Sequence, residues 1–325
     1  MNNTLYIVIP CYNEEDALPL TSGVILEKLK TLTARGKISA ESRILLVDDG
    51  SRDGTWSIIK SLTERHPEYC GVKLSGNRGT QSAIMAGLDA ARRRADFTIT
   101  TDADLQDDIN AIDEMTEQYL SGADVVYGVR SKRETDTFFK RFTALTYYRL
   151  LNMLDCGVVY NHSDFRLLSR RAMEALSEYP ERDLFIRGIV PRLGFKSAVV
   201  TYERGERSAG ETKYTARSLI HLAVTGVTSL SLKPLRMIIW LGAVMLLVSV
   251  ATFVSALASG AGALRFILPS VWFVGGVVTA AIGVVGEYVG RTYTEAKRRP
   301  RYHIEAVAGK AFEDGDNKAP REAEG

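Results

Sequence analysis

The sequence predicts an α/β domain with a mainly parallel sheet, followed by two apolar helices that cross a membrane. The α/β domain is indicated by strand-like apolar runs that alternate with segments of helical periodicity from residue 4 onward. Each of these runs also ends in a polar loop. The membrane region is indicated by residues 237–264 and 266–286, which carry no charged side chain. Each stretch exceeds the roughly 20 residues that a helix needs to cross hydrocarbon.

The predicted elements of the α/β domain follow one another in a regular order. Helices run through about Lys30, from about Thr55 and from about Thr80, and they separate the strands LYIVIP, RILLVDD, GVKLS and FTITTDAD. Such alternation means βαβ units, in which the carboxyl ends of parallel strands share one edge of the sheet. The loops PCYNEED, DDGSRDGT, SGNRGTQ and DADLQDD are therefore expected to meet at this edge.

Charge and cysteine content exclude several classes of protein. A formal net charge of +2 and the lack of a basic stripe argue against a nucleic-acid partner. The cysteines at 11, 70 and 156 are far apart and form no CxxC pair, so neither a disulfide framework nor a zinc site is expected. A reducing compartment is the expected environment.

The distribution of basic residues predicts the orientation of the membrane region. The N-terminus lacks a basic segment and a long apolar run, so no signal peptide is expected. Lys233 and Arg236 precede the first span, a basic group at 291–301 follows the second, and Arg265 alone lies between. Both termini and the α/β domain should therefore face the cytoplasm. A pair of buried core helices is the alternative for the two spans. The tail after about Ala306 is expected to be disordered.

The acidic loop DADLQDD is the strongest candidate for chemistry. Asp102 and Asp104 lie two residues apart at the end of a strand, so their side chains can converge. Such an oxygen-only, open site suits Mg²⁺ or Mn²⁺ shared with a diphosphate. A solvated turn is the alternative for this loop, as it is for DDGSRDGT. Gly76 and Gly79 either start a helix or let backbone amides approach a phosphate near Arg78. Neither GxGxxG nor a Walker lysine motif is present.

Taken together, these motifs resemble the family 2 glycosyltransferases of GT-A fold. The resemblance rests on IPCYNEE, VDDGSRDGT, LSGNRGTQSAIMAGLDAA and DADLQDD. The stretches NHSDFRLLSR, RGIVPRLGF, RSAGETKY and GEYVGRTYTEAKRRPRY narrow it to the polyisoprenyl-phosphate glycosyltransferases. It covers residues 4 to 303. One departure stands out, because relatives usually continue DADLQ with Asp-Pro-Pro, whereas Asp107, Asp108 and Ile109 stand here.

The resemblance implies a role for each site residue. Asp104 and Gln106 would hold the metal, and Asp102 would contact the metal shell or the ribose. Glu14 and Asp49 would bind the base, with Asp48 beside them. The other donor-binding residues would be Pro10, Tyr12, Asn77 and Arg78, together with Arg207 and Lys213 on a mobile lid near the diphosphate.

The resemblance also implies an acceptor site. Arg130 and Arg141 would bind a lipid phosphate, although Lys140 competes with Arg141 for this placement. Asp164 would act as a base or orient the acceptor, and His162 nearby is expected to be structural. Glu287, at the cytoplasmic end of the second span, is either functional or one half of an interfacial pair with Arg291.

The expected function is transfer of one sugar, with inversion, from UDP-glucose to undecaprenyl phosphate. GDP-mannose and other UDP-sugars are alternative donors. A processive polysaccharide synthase is disfavoured because no QxxRW motif occurs, and a nucleotide-sensing membrane scaffold is the non-enzymatic alternative. The expected boundaries are 1–205 for the GT-A domain, 206–234 for the lid and an interfacial helix, 235–290 for the spans, and 291–325 for the flank and tail. The interfacial segment, residues 218–232, could instead pack against the catalytic domain. A homo-oligomer, a tetramer by resemblance, is expected in the inner membrane.

Overall fold

The computed structural model describes residues 3–130, 162–181, 184–203 and 264–312, with a few isolated positions between 238 and 254. The strands are β1 (Leu5–Cys11), β2 (Arg43–Asp48), β3 (Tyr69–Leu74), β4 (Phe97–Thr100), β5 (Val125–Arg130), β6 (His162–Ser169), β7 (Ser197–Tyr202) and β8 (Ile304–Ala308). The helices are α1 (Leu18–Ala34), α2 (Thr55–Arg65), α3 (Thr80–Ala91), α4 (Ala111–Leu120), α5 (Arg170–Ser177), α6 (Ile186–Arg192) and α7 (Leu264–Ala296), followed by a short 3₁₀ turn at Lys310–Phe312. The predicted starts of the helices at Thr55 and Thr80 are confirmed.

The described strands form one sheet in the order β7-β5-β6-β4-β1-β2-β3-β8. Strands β4, β1, β2 and β3 are mutually parallel, and β5 is parallel to β7. Strand β6 runs antiparallel between β4 and β5, and β8 runs antiparallel along β3. The predicted α/β fold with a mainly parallel sheet is therefore confirmed. The carboxyl ends of β1, β2, β3 and β4 open onto one edge, hereafter the catalytic edge.

The core explains why β1 reads as a continuous apolar run. Leu5, Ile7 and Ile9 face one apolar cluster, whereas Tyr6 and Val8 face another on the opposite side of the sheet. Helices therefore cover both faces, and no position in the middle of this strand is left to water. Helix α3 lies especially close, because a Cβ on Gly87 would come within 2.3 Å of Val8 Cγ1.

The segment that follows α7 folds back onto the sheet. Strand β8 pairs with β3, and the 3₁₀ turn places Phe312 under the guanidinium of Arg94. The expectation of disorder from about Ala306 is thus wrong for residues 306–312, because this stretch pairs along β3 and its Ala311 and Phe312 pack against an apolar cluster of the sheet. Strand β8, which pairs with β3 at the edge of the sheet, lies beyond the expected domain boundary at residue 205.

Helix α7 includes the second predicted span and is longer than that span. It begins at Leu264 and continues to Ala296, so Arg265, expected in a hairpin, is helical. Its 33 residues give a length of about 50 Å. Among the described residues, Phe273–Ala296 is the one stretch long and apolar enough to cross a membrane, with a mean hydropathy of 1.6. Nearly all of the first predicted span lies outside the described residues.

The strand register connects α7 to the catalytic edge. Ile304, the first residue of β8, lies opposite Leu74, the last residue of β3, and the Ser75 amide donates to the His303 carbonyl at 2.9 Å. Tyr302 donates to Oδ2 of Asp89 on α3 at 2.6 Å. The intervening residues 297–303 can span at most about 25 Å. The C-terminal end of α7 is therefore tied to the catalytic edge by a short linker.

Candidate active site

Asp49 organises the loop after β3. Its two carboxylate oxygens accept from the backbone amides of Arg78 and Gly79 at 2.7 and 2.8 Å. Burial raises the pKa of Asp49 to about 6 against the lowering effect of these two bonds, and Asp48 raises it further. Both amides are thus engaged within the protein, and the helix-start interpretation describes this loop, since Gly79 is the N-cap of α3. The side chains of Asn77 and Arg78 are exposed at the edge.

The loops after β1 and β2 are joined into one surface. The Asn13 amide donates to Ser51 Oγ at 2.9 Å, and the Glu14 amide donates to Thr55 Oγ1 at 2.8 Å. Gly50 has a φ of +66°, and a Cβ there would lie 2.5 Å from the backbone of Gly76. The predicted donor-binding loops therefore meet at the catalytic edge through backbone contacts that leave no room for a side chain at position 50.

Asp48 lies fully buried at the end of β2. Its Oδ1 accepts from the Ser51 amide at 2.9 Å, whereas its Oδ2 has no hydrogen-bond partner among the described residues. Its neighbour Asp49 points instead toward the loop after β3. Two of the three acids predicted to contact the base, Asp48 and Asp49, therefore accept hydrogen bonds from backbone amides of the loops at this edge.

Asp102 and Asp104 occupy the loop after β4. Leu105, which lies between Asp104 and Gln106, has a φ of +50°. The Asp104 Oδ1 accepts from the Gln106 amide at 3.2 Å. Burial raises the pKa of Asp102 to about 7, and the charges of Asp107, Asp164 and Asp104 raise it further, against a smaller lowering effect of Arg130. Several carboxylates therefore crowd together here, and a bound cation would relieve their repulsion.

The donor types in this loop fit a divalent cation. Asp102, Asp104 and Gln106 offer only hard oxygen ligands, which Mg²⁺ and Mn²⁺ prefer. In the described part of the chain, no group of three or more His, Cys, Asp or Glu side chains is arranged to enclose a metal. The predicted site differs from such an enclosed site, because it uses two carboxylates and leaves positions for oxygens of a diphosphate. It stays a prediction.

Asp107 connects the loop after β4 to two further strands. Its Oδ1 accepts from Nη2 of Arg130 at 3.2 Å and, in a short hydrogen bond, from the hydroxyl of Tyr202. Arg130 also donates from Nε to the Tyr202 hydroxyl at 3.3 Å. Asp107 and Tyr202 are 3% and 4% exposed. The sequence interpretation missed both residues. Asp107 stood within the quoted motif DADLQDD, whereas no signal pointed to Tyr202.

Asp164 is held by arginines. Arg187 donates to both of its oxygens, Arg166 donates to Oδ1 at 2.7 Å, and Gln81 Nε2 lies 3.4 Å from Oδ1. A carboxylate with several cationic donors accepts a proton poorly, because each donor favours its charged form. The arrangement therefore opposes the role of a base and identifies Asp164 as an anchor that connects β6, α3 and α6. Both arginines stood within the motifs that carry the family resemblance.

The remaining predicted residues have mixed outcomes. Pro10 lies in β1, Tyr12 follows it at the edge, and Glu14 lies in the joined loops. Glu287 pairs with Arg291 at 3.2 Å on α7, and the interfacial location of this pair stays a prediction. Outside the described residues lie Lys140, Arg141, Arg207 and Lys213, while His162 is described only through its backbone in β6.

Comparison with known proteins places this architecture in a family context. Residues 6–177, slightly more than half of the chain, match the model of Glycosyl transferase family 2. The chain is 46% identical over 307 residues to the uncharacterized glycosyltransferase YkoT of Bacillus subtilis, a match that covers 93% of this chain and 91% of that protein. It is 39% identical over 312 residues to the prophage bactoprenol glucosyl transferase homolog of Escherichia coli, covering 93% and 98%.

A solved structure also matches at lower similarity. Glucosyl-3-phosphoglycerate synthase of Mycobacterium tuberculosis is 18% identical, with a TM-score of 0.46 over 70% of this chain and 79% of that chain.

Proposed function

The chain belongs to glycosyl transferase family 2, and we propose that it transfers a single sugar from UDP-glucose to undecaprenyl phosphate at the cytoplasmic face of the membrane. Relatives named bactoprenol glucosyl transferase, 38% identical over 92% of this chain, support this acceptor and this sugar. In this proposal both termini face the cytoplasm, and the enzyme assembles as a homo-oligomer.

The observation that carries the proposal is the adjacency of an acidic and a basic surface. Asp102 and Asp104 lie on the loop after β4, and Arg130 lies at the end of β5. Asp107, from the acidic loop, contacts Arg130 directly at 3.2 Å. An acidic surface suits a donor diphosphate bound with a cation, and an arginine suits the phosphate of an acceptor. The two substrates would then meet across the short distance between these surfaces.

On the donor side, Asp102, Asp104 and Gln106 would hold Mg²⁺ or Mn²⁺. When bound, the cation would neutralise negative charge on the departing nucleoside diphosphate. The joined loops that carry Glu14, Asp48 and Asp49 form a rigid surface for the nucleoside. The exposed side chains of Asn77 and Arg78 border this surface and can reach a diphosphate.

On the acceptor side, the lipid phosphate serves as the nucleophile. One of its oxygens attacks C1 of the sugar, the bond between C1 and the diphosphate oxygen breaks, and the electron pair leaves with the nucleoside diphosphate. The configuration at C1 inverts in this single displacement. A phosphate monoester is already largely ionised near neutral pH, so the step needs no proton acceptor. The engagement of Asp164 by two arginines supports a mechanism without a side-chain base.

The position of α7 supports a lipid substrate. Its C-terminal end is linked to the catalytic edge by residues 297–303, which include Lys297, Arg298, Arg299 and Arg301. These basic side chains suit an anionic membrane surface. A catalytic edge held close to the membrane would receive a phosphate at the headgroup level without extraction of its isoprenoid chain.

The test is a transfer assay on purified membranes that contain the full-length chain. Membranes are incubated with a panel of radiolabelled nucleotide sugars, including UDP-glucose and GDP-mannose, and the lipid product is identified by mass spectrometry. We expect glucosyl phosphoryl undecaprenol from UDP-glucose alone. A product from another donor would correct the sugar, whereas no lipid product from any donor, in membranes supplied with undecaprenyl phosphate, would overturn the proposal.

A further inference from the structure

Asp107 connects three segments of the site through one buried carboxylate. It lies on the loop that carries Asp102 and Asp104, it contacts Arg130 at the end of β5, and it contacts Tyr202 at the end of β7. Arg130 and Tyr202 are also opposite one another in the register of β5 and β7. A single side chain thus lies between the predicted donor loop, the predicted acceptor arginine and the end of β7.

The hydrogen bonding of Asp107 is unusually one-sided. Both Arg130 and Tyr202 donate to Oδ1, whereas Oδ2 is buried and has no hydrogen-bond partner among the described residues. The one-sided geometry places Arg130 and Tyr202 against the same oxygen and so sets the direction of the guanidinium.

The burial of the cluster gives this contact its strength. Asp107 is almost fully buried, and the side chain of Arg130 is 23% exposed. A charge-assisted bond that is largely removed from water holds its geometry better than an exposed ion pair. Arg130 therefore reaches the catalytic edge with its guanidinium already oriented, which lowers the entropic cost of binding a phosphate there.

We infer that Asp107, with Tyr202, is a positioning residue that orients Arg130 toward the phosphate of the acceptor lipid. The inference rests on the proposed function and deepens it, because it explains how one site residue acts through another. Asp107 itself does not contact the substrate in this role. Its removal should weaken use of the lipid phosphate and leave the donor and the metal requirement nearly unchanged.

The experiment compares variants of the full-length enzyme in detergent, with farnesyl phosphate as the acceptor probe. Asp107→Asn keeps the volume and removes the charge, and Asp108→Asn is the matched control on the same loop, where the carboxylate only caps the Asn110 amide at 2.9 Å. Tyr202→Phe removes one hydroxyl and keeps the ring against Phe165, whose centroid lies 5.3 Å away. KM for farnesyl phosphate, KM for the donor, the Mn²⁺ concentration at half-maximal rate and Tm are measured for each.

We expect Asp107→Asn to raise KM for farnesyl phosphate about tenfold and Tyr202→Phe about threefold. The donor KM and the Mn²⁺ requirement should stay within about twofold of wild type, and Asp108→Asn should match wild type in all four readouts. The double variant Asp107→Asn/Arg130→Ala should show the same acceptor KM as Arg130→Ala alone, because Asp107 acts through that arginine.

Three results would overturn the inference: additive effects in the double variant, a donor KM or Mn²⁺ requirement that rises as much as the acceptor KM, or an unchanged acceptor KM in Asp107→Asn. If Asp107→Asn does not fold, the same criteria apply to Tyr202→Phe and its double variant with Arg130→Ala. Failure of the proposed function is distinguishable, since wild type itself would then transfer no sugar to farnesyl phosphate or to undecaprenyl phosphate.

Discussion

Arg187 donates to both carboxylate oxygens of Asp164, from Nε at 3.1 Å and from Nη2 at 2.8 Å. Arg166, which is 2% exposed, adds a third charged contact at 2.7 Å. The partly buried pair of Asp164 and Arg187 joins β6 to α6 near the catalytic edge. Asp164 therefore binds the charges of two arginines, an arrangement that disfavours a role as proton acceptor.

Replacement of Asp164 by Asn should lower stability more than it changes the chemistry. The buried guanidinium of Arg166 would lose its carboxylate, and breaking such a pair costs on the order of 3 kcal/mol. Thermal unfolding in detergent measures the loss, with Asp96→Asn as a control because Arg170 and Asp96 form an exposed pair. A variant with wild-type Tm and no turnover at any pH would instead indicate a catalytic base.

Asp104→Asn should reduce sugar transfer by on the order of a hundredfold or more while Tm stays close to that of wild type. The change removes the charge that would hold the cation but keeps Oδ1 as an acceptor for the Gln106 amide. Turnover is measured with EDTA and then during Mg²⁺ or Mn²⁺ titration, and Asp108→Asn is the control. Activity that resists the chelator, or a variant as fast as wild type, would indicate that this loop is only a solvated turn.

Asp102→Asn should stabilise the metal-free protein at pH 8. The pKa of Asp102 is raised to about 7, so the folded state retains a proton that the unfolded state loses between about pH 4 and 7. The free energy of unfolding therefore falls as the pH rises through this window, and at pH 8 the ionised carboxylate destabilises the folded state. A gain of 1 kcal/mol would raise Tm by about 2–4 °C in a domain of this size.

The same substitution should have almost no effect on Tm at pH 4.5, where the wild-type Asp102 is already protonated. Tm is measured in EDTA at both pH values. A gain of equal size at pH 4.5 and pH 8 would show that the carboxylate is not under electrostatic strain, and a loss of stability at pH 8 would contradict the crowding of charges around it.

Gly50→Ala should destabilise the protein and weaken nucleotide binding. The new Cβ would lie 2.5 Å from the backbone of Gly76, and the φ of +66° adds about 1–2 kcal/mol of its own. Gly36→Ala is a matched control, because Gly36 has a φ of +67° with nothing within 4 Å of a Cβ. The difference in Tm between the two variants measures the loop contact, and calorimetric titration with UDP measures binding. Equal losses in both would mean that the two loops can separate freely.

Reporter fusions should reveal both termini in the cytoplasm. A reporter before Met1 or after Gly325 should read as cytoplasmic, and one inserted at Gly262 should read as periplasmic, because basic residues are concentrated before the first span and after the second. Protease accessibility in membrane vesicles provides a second measurement. A cytoplasmic signal at Gly262 would contradict the two-span hairpin, and α7 would then not be its second span.

The sequence by itself was sufficient for the elements and for the edge at which the site lies. Local periodicity marks β1, β2, β3 and β4 with the helices between them, because side-chain burial repeats along a short stretch of chain. The parallel order of these strands then requires the loops that carry Asp49 and Asp102 to meet. The acidic pair Asp102 and Asp104 could also be identified from the sequence, because both residues lie on one loop.

Only the tertiary structure decided which partner each charged side chain takes. Asp107 and Tyr202 are 95 residues apart in the chain, and their contact exists because β5 brings β7 beside the loop after β4. Strand β8 joins β3 from beyond α7, more than two hundred residues along the chain. Pairing between distant strands depends on backbone hydrogen bonds and sheet order, which leave no local periodicity in the sequence. The contacts of Asp107, Asp164 and β8 could therefore be found only from the fold, because long-range geometry determines the hydrogen bonds of a buried charge.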